Sequence, residues 1–265
     1  TIRGTLAMAT ASLLGGAGSS AHALEPGSDW EIDSAIMYYA EQDRVSLYEP
    51  VIRMRKDLGN DQYLTAKLIV DVLTGASANG AIPTGSAQTF TTPSGNSTYT
   101  TGANTVPLDD TFHDTRGAVS LEWERPLGSA SRAIYGFNFS KEFDYQSIGA
   151  SATFNWDFNQ KNSTFTTGLS FNADTVKPVG GAPVGLTNMP TFPTVKATQG
   201  DSLNKDVYDI LLGWTQVLGR KDLLQFNYVY GNESGYLSDP YKILSVVDGV
   251  SGELVADPNL RYVYE

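Results

Sequence analysis

Tyr145-Gln146-Ser147-Ile148-Gly149-Ala150-Ser151-Ala152-Thr153-Phe154-Asn155-Trp156-Asp157-Phe158-Asn159 is the stretch that decides the fold. One parity reads Ile148, Ala150, Ala152, Phe154, Trp156, Phe158. The other reads Ser147, Gly149, Ser151, Thr153, Asn155, Asp157. Successive side chains of a strand point to opposite faces, so this is a strand with one apolar face and one small, polar face.

The same alternation spreads outward. Before it, Ala133, Tyr135, Phe137 and Phe139 oppose Arg132, Gly136, Asn138, Ser140 and Glu142. After it, Phe165, Leu169 and Phe171 oppose Thr164, Thr166, Ser170 and Asp174. Tyr208, Ile210, Leu212 and Trp214 share one parity of 205–218. Leu224, Phe226, Tyr228 and Tyr230 oppose Gln225, Asn227, Gly231 and Glu233. Earlier segments are noisier. Leu64, Ala66, Leu68, Val70 and Val72 stand against Thr65, Lys67 and Asp71, and Val119, Leu121 and Trp123 against Ser120, Glu122 and Glu124. Residues 30–41 and 45–57 complete a set of about nine strands, each about 10 to 14 residues long.

Such strands are long for a globular sheet, where about 5–6 residues is usual. They suit a tilted membrane crossing. Gly59-Asn60, Gly128-Ser129, Gln160-Lys161-Asn162 and Gly219-Arg220-Lys221-Asp222 are tight-turn material. The connections 75–113 and 176–204 are long and rich in Gly, Thr, Ser and Pro. All four tight turns fall on one side of the strand set and both long connections on the other. The links at Gln42-Asp43 and near Asp144 join the long side. Transmembrane barrels pair short periplasmic turns with longer extracellular loops in this way. The fold expected is all-β: an antiparallel up-and-down transmembrane β-barrel. An open sheet edge is costly in hydrocarbon, and bacterial single-chain barrels have even strand numbers. About nine strands is therefore expected to be the N-terminal portion only, with a C-terminally incomplete barrel domain over 24–265.

The first residues fit an exported barrel. Arg3 precedes Leu6-Ala7-Met8-Ala9 and a weakly apolar run to Leu13-Leu14, followed by small residues ending in Ala21-His22-Ala23. A positive region, a short apolar region and an A-x-A pattern read as a signal peptide over 1–23. The localisation expected is the cell outer membrane. The partners expected are outer-membrane lipid and the barrel-assembly machinery.

Charge and composition narrow the function classes. The chain of 265 residues has a formal net charge of -11 and no Cys. An acidic chain is a poor nucleic-acid ligand, because phosphate contacts need Lys and Arg. Disulfide scaffolds and thiolate metal sites are excluded. No cofactor is expected. The acidity serves loop solvation or a lumen field favouring cations; composition leaves both open. The polar parity offers Lys67, Asp71, Glu122, Glu124, Arg132 and Glu142, together with Arg53 and Arg55, as lumen-facing charges. The outer face of a soluble sheet accepts such groups too, so strand length, loop asymmetry and the leader carry the barrel reading.

Signals for catalysis are weak, and no enzyme is expected. Of two His, His22 lies in the leader and His113 at the end of a long connection. A Ser-His-Asp site would need a strand His at the barrel surface. Glu122 and Glu124 share a face about 7 Å apart. That spacing admits acid–base work, and equally lumen charges balanced by Arg. Asp109-Asp110 and Asp114 offer oxygen ligands to a divalent cation in the loop, without the spacing of a calcium loop. Gly180-Gly181-Ala182-Pro183 reads as a flexible linker. Ser238-Asp239-Pro240-Tyr241-Lys242 reads as a rigid turn after the ninth strand, with a ligand site as its alternative.

Two segments carry a family resemblance. One is Val207-Tyr208-Asp209-Ile210-Leu211-Leu212-Gly213-Trp214-Thr215-Gln216-Val217-Leu218, continuing through Asp222, Gln225-Phe226-Asn227 and Tyr236-Leu237 into Ser238-Asp239-Pro240-Tyr241-Lys242. The other is Asn138 to Ile148, with Asp144-Tyr145 at its centre. They resemble the DUF3570 family of proteobacterial proteins of unknown function, over much of 30–245. The resemblance implies an outer-membrane barrel, brings no catalytic residues, and points to an envelope redox protein, flavin-linked, as a partner. The function expected is a porin-like channel or structural barrel. A non-conducting scaffold in an envelope complex is the alternative.

Overall fold

Alternation over this many residues leaves each backbone only one way to satisfy its N–H and C=O groups, a continuous ladder with its neighbours. The computed structural model describes residues 29–42, 44–257 and 259–265, with the backbone alone at 110–112. The signal peptide expected over 1–23 lies outside the described residues.

Fifteen strands follow in chain order: β1 (Trp30–Ala40), β2 (Val45–Gly59), β3 (Gln62–Ala78), β4 (Gln88–Thr91), β5 (Thr98–Thr101), β6 (Leu108–Pro126), β7 (Ser131–Lys141), β8 (Tyr145–Phe158), β9 (Ser163–Val176), β10 (Ala182–Pro183), β11 (Thr198–Gly200), β12 (Leu203–Val217), β13 (Leu223–Gly235), β14 (Ile243–Ser245) and β15 (Tyr262–Tyr264). Nine of them form one sheet in the order β1-β2-β3-β6-β7-β8-β9-β12-β13. Every pairing in it is antiparallel and between consecutive long strands. These are the nine strands the alternation marks, 11 to 19 residues long. The sheet is open: β1 and β13 each pair on one side only.

The tight turns close as their sequences require. Gly59, Asn60 and Asp61 all have positive φ, near +80°, +54° and +56°. Asn159, Gln160 and Lys161 repeat the pattern at the β8–β9 turn. Gly and Asn reach that left-handed region most cheaply.

Register fixes two faces. Arg55 pairs with Thr65, Thr65 with Glu122, Glu122 with Gly136, Gly136 with Ser151, and Ser151 with Ser170. The polar parity is thus continuous across the sheet. The apolar parity is continuous too, and it is the exposed one. Ile36, Leu68, Val70, Phe137, Leu169, Tyr208 and Ile210 are exposed, whereas Glu49, Asp71, Asn155 and Asp174 are buried. A water-soluble sheet shelters its apolar side and solvates its polar side. This sheet does the reverse.

The long connections hold the larger departures from the sequence reading. β3 and β6 run beyond the alternating core as an arm, so His113 and Asp114 are strand residues paired with Thr74 and Leu73. Neither belongs to a loop, and Asp109 is likewise within β6. Gly180-Gly181-Ala182-Pro183 is no flexible linker. Ala182 is fully buried and begins β10, which pairs with β11. Glu142, read as a strand residue, lies one position past β7, where its amide donates to the Tyr145 carbonyl at 2.7 Å.

The two long connections and the segment after β13 knit into one cap. β4 pairs with β5, β10 with β11, and β14 with β15. Phe90 packs on Tyr99 and Tyr262 with ring centroids 5.5 and 5.0 Å apart, and Ala81, Ile243 and Tyr264 complete that core. The amides of Leu186 and Met189 donate to the carbonyls of Tyr264 and Tyr262, both at 2.9 Å. A second small core joins Val176, Ala182 and Tyr236. There, burial and the nearby Asp239 carboxylate push the Tyr236 phenol up to about 12.

Candidate functional site

Two regions concentrate polar chemistry: the sheltered face of the sheet, and the junction between sheet and cap.

On the sheltered face, register brings Lys67, Asp71, Glu122, Glu124 and Arg132 to one side, as the alternation requires. Their partners were not legible in the sequence. Arg55 lies 3.8 Å from Glu31 and 3.7 Å from Glu124, and Arg132 lies 3.8 Å from Glu124. A charge ladder therefore crosses from β1 to β7. The Arg55 guanidinium also sits 3.8 Å from the Tyr63 ring centroid. Arg53 pairs with Asp33 at 3.0 Å, and Arg116 holds Asp71. Further along, Lys205 bridges Asp174 and Glu233 at 3.6 and 3.7 Å. Glu122 and Glu124 differ in partners, since the arginine ladder involves Glu124.

Between the charged groups the face is paved over glycine. Asn138 on β7 donates to Asn172 on β9 at 3.0 Å, directly across Gly149 on β8. A Cβ at Gly149 would stand 2.0 Å from the Asn172 Oδ1. The absent side chain is what lets the two amides meet.

At the junction, Ser238-Asp239-Pro240-Tyr241-Lys242 forms a latch. The Asp239 carboxylate accepts the Tyr241 amide at 2.9 Å, an Asx turn set by the Asp-Pro pair. The Tyr241 hydroxyl donates to the Asp144 carboxylate and accepts the Val179 amide at 3.1 Å. The Lys242 ammonium donates to Ser77 Oγ at 3.0 Å and to the Ala78 carbonyl. One pentapeptide thus ties the β7–β8 link, the β9–β12 connection and the end of β3. Ser238 is exposed and makes no part of these bonds.

Beside the latch lies a cavity of about 450 Å³. Its wall includes Ser77, Asn79, Thr92, Pro93, Ser94, Asp109, His113, Asp114, Phe143, Asp144, Val179, Asp239, Tyr241 and Lys242. His113 stacks on Phe143 with ring centroids 6.4 Å apart. Lys196, itself buried, donates to the Pro93 carbonyl at 3.0 Å and ties the β4–β5 hairpin to the β9–β12 connection. Burial lowers the pKa of that ammonium. Asp109 and Asp114, candidates for a divalent cation, do line this cavity. Among the described residues, however, no group of three or more His, Asp or Glu is close enough to hold a metal ion.

These features define an all-β protein built on an open, inverted antiparallel sheet, apolar on its exposed face and polar on its sheltered one, with a latched cap at one end. Comparison with known families identifies it further. The chain matches the family described as "Protein of unknown function (DUF3570)" over residues 3–263 and belongs to that family. The match runs past the expected 30–245 at both ends, taking in residues 3–29 and 246–263. No curated protein matches the chain, and no solved structure does.

Proposed function

We propose that the nine long strands are part of the wall of an outer-membrane β-barrel, and that their polar face lines a water-filled passage for small solutes. The observation that carries this reading is the inverted sheet. Large apolar side chains cover the exposed face, and charged and amide groups cover the sheltered one. A hydrocarbon surround makes that arrangement favourable.

An aromatic row supports it. Trp123, Tyr135, Phe154, Trp156, Phe165 and Trp214 follow one another across β6 to β12 with centroids 5.9 to 6.5 Å apart. The row lies toward the tight-turn end of the apolar face, where an interface girdle belongs. On β1, Trp30 and Tyr38 mark the two ends of that face. Eight residues at about 3.4 Å each separate them by about 27 Å along the strand, close to the height of a barrel's apolar band.

The test is single-channel conductance of the protein refolded from detergent into a planar bilayer. Stable steps are expected, with cation preference reduced in the variant carrying Glu122→Gln and Glu124→Gln. A folded, membrane-inserted protein that never conducts overturns the passage.

A second reading has its own observation. The cap has its own core, built from two connections and the segment after β13, more structure than a passive channel needs. A barrel that holds its cap out to an envelope partner fits that. For the redox protein implied by the family resemblance, the check is stoichiometric co-purification of a flavin-bearing protein with the tagged full chain.

A further inference from the structure

We propose that the cavity between cap and sheet binds a small organic cation, an ammonium or guanidinium carried on an apolar or aromatic body. The proposal goes beyond the barrel reading, since the cavity exists whether or not the sheet closes.

The first argument is enclosure. A volume of about 450 Å³ falls in the range of small-molecule pockets. The backbone packs closely just behind the lining residues Asn79 and Val179. A Cβ at Gly180 would stand 3.0 Å from the carbonyl oxygens of Pro93 and Ser94, and one at Gly80 2.4 Å from that of Ile243. Both glycines have positive φ, +74° and +97°, so backbone segments from different connections close on each other where no side chain fits.

The second argument is the character of the wall. Asp109, Asp114, Asp144 and Asp239 contribute carboxylates, Asp144 and Asp239 also accepting from the Tyr241 hydroxyl and amide, against the single lining ammonium of Lys242. That ammonium is already engaged by Ser77 and Ala78. The stacked rings of His113 and Phe143 add an aromatic surface, and Phe143 is 59% exposed although it lines a cavity. Aromatic rings beside carboxylates are the surroundings that ammonium and guanidinium ligands select.

The third argument decides against a bare metal ion. Among the described residues, no three acid or His groups converge on one point. Hard divalent ions need six or more converging oxygens. Carboxylates beside an aromatic surface suit a larger cation with its charge at one end and apolar area to bury at the other.

The experiment titrates the full chain in nonionic detergent with phenethylamine and with spermidine, by calorimetry. Glucose and calcium chloride are titrated in parallel. Saturable binding of an amine is expected, weakened at least about tenfold by Asp114→Asn and by Phe143→Leu, at unchanged melting temperature. Asp114→Asn keeps the shape and removes the charge. Phe143→Leu changes an exposed ring and leaves no hole. Absence of saturable amine binding overturns the proposal. So does amine binding that both variants leave intact, and so does equal or tighter binding of glucose or calcium.

Discussion

Tyr241 shows how one hydroxyl holds two distant parts of the chain. Its O–H donates to Asp144 and its oxygen accepts from the Val179 amide, and Asp144 is 97 residues away in sequence. Tyr241→Phe removes both bonds and leaves the ring. A hydrogen bond to a charged group contributes about 1.5–3 kcal/mol. The expected result is a cap that opens first: faster proteolysis within 79–107 and 177–202, with far-ultraviolet dichroism of the sheet unchanged. Equal proteolysis rates in the variant and the parent would mean that the latch holds nothing. Both ends of this contact lie in the segments that carry the family resemblance, so the sequence marked each of them. It gave no sign that they touch, because a hydrogen bond across three connections leaves no local pattern.

Gly149 makes the same point on the sheltered face. It sits between Asn138 and Asn172, whose amides bond over it at 3.0 Å. Gly149→Val would drive the branched side chain into both. Overpacking of this kind costs about 1–3 kcal/mol. Urea titration of the refolded protein should show the midpoint falling for Gly149→Val. Ala150→Val, on the exposed face of the same strand, should leave it within error. If both variants behave alike, the packing over Gly149 is loose and the paving argument fails.

At the scale of elements, alternation is a strong signal only when the partner surface is long. Each of the nine sheet strands covers 11 or more residues with one apolar face, and all nine are legible in the sequence. The cap strands span two to four residues in segments of Thr, Ser, Gly and Pro. No period can be read from so few positions, and their pairing follows from contacts between connections. The polar-face candidates Lys67, Asp71, Glu122, Glu124 and Arg132 were legible because parity alone assigns a face. Their ladder with Glu31, Arg53, Arg55 and Arg116 needed the register. Parity also places all four Trp, at 30, 123, 156 and 214, on the exposed apolar face. In vesicles of brominated lipid, Trp emission should be strongly quenched, while acrylamide in the water should quench it weakly. The opposite order would put the apolar face in water and remove the basis for a membrane-embedded sheet.

At the scale of the molecule, direction decides how such a sheet can close. Its pairings are all antiparallel, so β1 and β13, first and ninth across it, run the same way. A direct β1–β13 contact would be parallel, and every copy in a membrane shares one orientation. An antiparallel ladder can close the ring only through an odd number of further strands. β13 is the edge prepared for one: all 13 of its residues are exposed, on both faces. Leaving such edges open in hydrocarbon costs on the order of tens of kcal/mol. The chain has no Cys, so single labels can be placed without background. Spin labels at Ala35 on β1 and Asn227 on β13, both on the polar parity, should report their separation in the protein refolded into a bilayer. Intervening strands set a distance of about 10 Å or more, since each adds about 4.8 Å. A separation near one strand spacing would instead mean that the nine strands close on themselves through a parallel pair. The passage would then be narrow, and the charge ladder from Glu31 to Arg132 would face a wall close enough to fill it.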